Sequence, residues 1–129
     1  MTLTGLLDAA LDDPALRRIA EALDQPDLTV SGPQALAPFA IATLTRQDRT
    51  VLAVTSTGRE AEDLAATLGC LVDPDRVAVY PGWETLPHER LSPRSDTVGQ
   101  RLAVLRRLAH PLPDDPAAGP LDVVVAPIR

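Results

Sequence analysis

Thr50-Val51-Leu52-Ala53-Val54-Thr55 is β-branched and nearly all apolar. That is the pattern of a strand buried on both faces of a parallel sheet. Ser56-Thr57-Gly58-Arg59-Glu60 follows at once, and Thr57 with Glu60 three residues later forms a capping box. Ala61, Leu64, Ala65 and Leu68 then recur at helical spacing, with Gly69 as the expected end. A buried strand running straight into a capped helix is half of a βαβ unit.

The same alternation extends outward. Upstream, Leu28-Thr29-Val30 reads as a short strand ending in Ser31-Gly32-Pro33, and residues 34–45 read as a helix starting near Pro38. Before it, residues 3–24 read as two helical pieces, the second opened by Asp13 and Pro14 as cap and first helical residue. Downstream, Val77-Ala78-Val79-Tyr80 is a third strand. After an irregular stretch over 81–95, Thr97-Val98-Gly99-Gln100 reads as a second capping box, opening a helix that carries Val98, Leu102, Leu105 and Ala109 on one face. A Pro-rich loop, Pro111 to Pro120, leads to a last strand, Asp122-Val123-Val124-Val125-Ala126, cut by Pro127. The reading is an α/β fold with a small parallel sheet flanked by helices, divided into an N-terminal helical segment (1–27) and an α/β subdomain (28–129). A core strand three residues from Arg129 is expected of a fragment of something longer.

Composition narrows the chemistry. The chain has 129 residues, 45% hydrophobic and 23% charged, enough for a core and too apolar for disorder. Eighteen acids outnumber twelve basic residues, giving −6, which disfavours a chain-wide nucleic-acid clamp. All twelve basic residues are Arg; there is no Lys and no Asn. Any mechanism that needs a lysine is excluded, the P-loop lysine and Schiff bases included. Cys70 is the only cysteine, so no internal disulfide or Cys-based zinc site can form, and Cys70 reads as a small packing residue. No apolar run reaches a membrane span, and the N-terminus lacks a signal-peptide pattern; a cytoplasmic location is expected.

Three stretches are candidates for chemistry. The turn Ser31-Gly32-Pro33, up to Pro38, stands where a phosphate loop would follow the first strand, yet it keeps one glycine and lacks the second glycine, the lysine and the hydroxyl. It reads as a degenerate phosphate turn, with a nucleotide-binding ATPase-like fragment as the alternative. The hydroxyls of Thr55, Ser56 and Thr57 at a helix N-terminus suit an anion, although capping alone explains Thr57 and Glu60. The third stretch, Tyr80 to Asp96, holds the only Trp and Tyr. Pro87 and Pro93 break any HExxH helix there, so Glu84, His88 and Glu89 read as loop residues pinned by Trp83 and Leu86. Residues 83–110 carry five Arg against three acids, a locally basic strip suited to phosphates or an acidic partner. His110 is placed at a helix C-terminus.

Trp83-Glu84-Thr85-Leu86-Pro87-His88-Glu89-Arg90-Leu91-Ser92-Pro93, then Asp96 and Arg101-Leu102-Ala103-Val104-Leu105, resembles the WETLPY-x-x-x-SP-x-x-D…RL pattern of the bacterial transcription-repair coupling factors, the Mfd family. The resemblance extends over most of residues 28–129, and the composition fits a high-GC actinobacterial source. It implies a degenerate P-loop NTPase-like subdomain, similar to the first subdomain (1a) of the excision-repair protein UvrB. It further implies a non-catalytic scaffold within a large ATP- and Mg-dependent DNA translocase. Such a protein displaces stalled RNA polymerase from double-stranded DNA and recruits UvrA for nucleotide excision repair. No cofactor is expected for this stretch itself. The resemblance makes Trp83, Glu84, Thr85, Leu86, Pro87, Leu91, Pro93 and Asp96 folding and docking residues, with intramolecular docking to other domains. Arg90, Arg94 and Arg101 become candidates for polar or DNA contacts.

Overall fold

The computed structural model describes residues 3–83 and 92–128. Helices α1 (Thr4–Ala10) and α2 (Pro14–Glu21) come first, and the Asp13 carboxylate caps α2 by accepting from the Ala15 N–H at 2.7 Å. A 3₁₀ turn, Gln34–Leu36, leads into α3 (Ala37–Thr45), which accommodates Pro38 because the first helical turn has no N–H partners to lose. Then come β1 (Val51–Thr55), α4 (Gly58–Leu71), β2 (Val77–Val79), α5 (Ser95–Ala109) and β3 (Val123–Pro127). Both pairings are parallel, and β3 lies in the middle, giving the order β1-β3-β2. The fold is α/β, as expected.

The core lies mainly on one face of the sheet. Ala53, Val123 and Val125 meet Leu7 of α1, Ala42 of α3, and Ala61, Leu68 and Leu71 of α4. A smaller cluster on the other face joins Val124 to Val104 of α5 and to Leu121, with Ala78 and Tyr80 alongside.

Four local expectations are corrected. Leu28-Thr29-Val30 is not a strand: it is exposed coil, and the sheet of described residues has three strands. Helix α4 runs through Gly69 to Leu71, since the extra turn buries Leu71 in the core. Helix α5 opens three residues earlier than expected, with Arg94 rather than Thr97 as its N-cap; Thr97 lies in the first turn and is buried, so the Thr97–Gln100 box does not form. Finally, β1 is buried on one face only. Leu52 and Val54 are 65% and 60% exposed, since α5 reaches β2 and β3 but stops short of β1.

Candidate docking surface

The second face of the sheet carries an open groove of about 680 Å³. Leu52, Val124 and Ala126 form its floor, Leu105 and Leu108 of α5 one wall, and Ile128 and the segment after β2 the ends. That segment is held by one backbone bond and one side chain. The Tyr80 N–H donates to the Val125 carbonyl and prolongs the β2 ladder by one residue. Pro81 and Gly82 then turn the chain so that Trp83 faces α5. The Arg101 guanidinium lies between the two rings, its carbon 4.0 Å from the Tyr80 centroid and 4.1 Å from that of Trp83. One of its amino groups also donates to the Pro81 carbonyl. A cation between two aromatic faces is worth about 1–2 kcal/mol where water is partly excluded. Half-buried Tyr80, half-exposed Trp83 and Arg101 therefore form one rigid unit at the groove's end. Tyr, Trp and Arg are the residue types that dominate protein–protein contacts.

Among the described residues, Arg94, Arg101 and Arg107 of the basic strip are engaged within the chain. Arg94 pairs with Asp96 at 2.8 Å across the start of α5. Arg107 donates to the Gly119 carbonyl at 2.8 Å and to the Asp75 carbonyl, tying the Pro-rich loop to the turn before β2. Pro93 is exposed in the approach to α5. Glu84, Thr85, Leu86, Pro87, Arg90 and Leu91 lie outside the described residues, as do His88 and Glu89. Trp83, expected to pin this loop, is 51% exposed.

The other candidates resolve differently. Thr57 and Glu60 form a full capping box: the Glu60 N–H reaches Thr57 Oγ1 at 3.2 Å, and Glu60 Oε2 accepts from the N–H groups of Ser56 and Thr57. Glu60 thus places its own carboxylate where an anion would sit, while the Thr55 hydroxyl turns to the Thr57 carbonyl. Ser31, Gly32 and Pro33 are exposed, with no strand leading into them. The chain has no lysine to offer a phosphate there, and Pro33 removes an N–H from the turn. Cys70 is exposed rather than packed, because α4 turns it away from the core face, and its thiol approaches the Ala66 carbonyl. His110 caps the C-terminus of α5, its backbone N–H donating to the Arg106 carbonyl at 2.7 Å. Among the described residues no three His, Cys, Asp or Glu side chains cluster to hold a metal ion, and no helix is long and apolar enough to cross a membrane.

The Arg101 sandwich was not foreseeable from spacing alone. Twenty residues separate Arg101 from Pro81, and only the adjacency of β2 and β3 under α5 brings them together.

No protein-family model matches the chain. The transcription-repair-coupling factors of Mycobacterium bovis and Mycobacterium tuberculosis are each 49% identical to it over 130 aligned residues. The chain is homologous to part of the transcription-repair coupling factors. The alignment takes in 98% of the chain and 10% of each relative, so the chain spans about a tenth of the length of these coupling factors.

Proposed function

We propose that the chain is a non-catalytic scaffold within a transcription-repair coupling factor. The activity of the whole protein belongs to the parent: an ATP- and Mg-driven DNA translocase that displaces stalled RNA polymerase from damaged double-stranded DNA in the cytoplasm and recruits UvrA for nucleotide excision repair. In this reading residues 3–128 lend shape. The sheet and α5 hold the Trp83 unit and the apolar groove as docking surface for the rest of the module, and the complete module presents the surface that UvrA binds.

The observation that carries the reading is 49% identity over 98% of the chain to coupling factors. The absence of lysine and the exposed turn at Ser31–Pro33 support a role without nucleotide. The test is retention on immobilised UvrA from the same organism. The full-length parent is expected to be retained, and deletion of residues 1–129 from it to abolish retention. A full-length protein that passes through unretained contradicts the recruiting role.

A further inference from the structure

We propose that α5 is a lid on the second face of the sheet: it lifts as one piece when two arginine fastenings let go, while the α4 face stays closed. The inference goes beyond the scaffold reading and stands whether or not the parent recruits UvrA.

The two helices that flank the sheet are attached in different ways. Helix α4 buries Ala61, Leu68 and Leu71 in the principal core. Helix α5 is of similar length, yet among the described residues only its Thr97 and Val104 are buried. Leu102, Leu105 and Leu108 stand exposed. Val104 is what α5 brings to the small cluster with Leu121 and Val124. Less apolar surface leaves water here than under α4, and the hydrophobic hold is weaker in proportion.

Charge supplies the rest of the attachment. Arg101 lies against the rings of Tyr80 and Trp83 and donates to the Pro81 carbonyl, just after β2. Arg107 donates to the Asp75 carbonyl, just before β2, and to the Gly119 carbonyl in the loop that leads to β3. The targets follow β2 in the reverse order of the two arginines. Helix α5 therefore runs antiparallel over β2, with one guanidinium gripping each end of the strand. Hydrogen bonds weaken steeply with distance and angle, so a short displacement of α5 loses them. The interdigitated core under α4 has no such short way out. Seated and lifted are thus two discrete states of α5. Lifting it uncovers Ala78 and Val124 and joins them to the groove already open beside Leu52. The sheet offers a narrow apolar groove with the lid seated and a whole apolar face with it lifted.

The test is amide hydrogen exchange of the full-length parent, read by mass spectrometry on peptides from α4 and α5. Residues 64–68 and 101–105 hold the same positions from the start of their helices, so end fraying affects both alike. Residues 101–105 are expected to exchange at least about tenfold faster than residues 64–68. Arg101→Ala and Arg107→Ala are each expected to speed 101–105 by about a further tenfold and to leave 64–68 unchanged. Equal rates for the two helices in the wild-type protein overturn the lid, because α5 then opens only with the whole fold. Variants that speed neither helix, or both alike, overturn it as well. The wild-type comparison needs no variant, so a substitution that spoils folding leaves the test intact. UvrA retention does not read these amides, so the lid and the recruiting role fail separately.

Discussion

Arg101 shows how much of the surface depends on one side chain. It contacts both aromatic rings and the carbonyl between them. Replacing it with Ala releases Trp83, the chain's single tryptophan. The expected outcome is red-shifted emission with stronger acrylamide quenching, and a loss of about 1–2 kcal/mol in stability; unchanged emission would remove the sandwich from the account. Trp83→Ala itself is expected to cost about 1 kcal/mol rather than the several lost from a buried ring, because half of the indole already meets water. Asp122 carries the pH dependence. Burial pushes its carboxyl above the ordinary carboxylate value, Arg76 pulls it down by less, and Asp73 and Asp48 push it further up. The folded state therefore holds the proton more tightly than the unfolded chain. The stability tied to this group is complete below the ordinary carboxylate value and is lost as pH rises through the raised one. Asp122→Asn removes that dependence. The melting temperature of the variant minus that of the wild type should fall as pH is lowered from neutral into the carboxylate range; a difference that grows instead contradicts the shift.

At the scale of elements, local signals succeeded where the deciding chemistry was local. Thr57 and Glu60 cap α4 as spaced, and Thr57→Ala is expected to cost about 1 kcal/mol by chemical denaturation, most of it in α4. Asp13 caps α2 for the same reason. The second box failed because Thr97 packs inward while Arg94 and Asp96 pair across the helix start; tertiary burial overrode a spacing that fits. Leu28-Thr29-Val30 failed for a non-local reason. A strand exists only with a partner, and no described strand lies beside this segment. The Trp83–Arg101 unit was half legible: the aromatic loop stands out in composition, but its clamp sits on another element, and spacing within one element cannot show a pairing across two.

For the whole molecule, the division of the core matters most. Leu68 is fully buried among α1, α3, α4 and the sheet, and Leu68→Ala should cost about 2–5 kcal/mol. A cost under 1 kcal/mol in a denaturant titration would mean that this face is not the principal core. The opposite face holds a smaller cluster around Val104 and Val124 and leaves Leu52, Val54 and Leu105 exposed. In the proposed scaffold reading such a molecule holds and is held. Its sheet offers surface and edge, and the turn at Ser31 offers no cation to a phosphate. Photolabelling of the full-length parent with 8-azido-ATP and Mg, followed by peptide mapping, tests that claim most directly. No adduct that ATP competes away should fall within residues 1–129; an ATP-protected adduct on the peptide spanning Ser31 to Pro38 would contradict a scaffold that works without nucleotide.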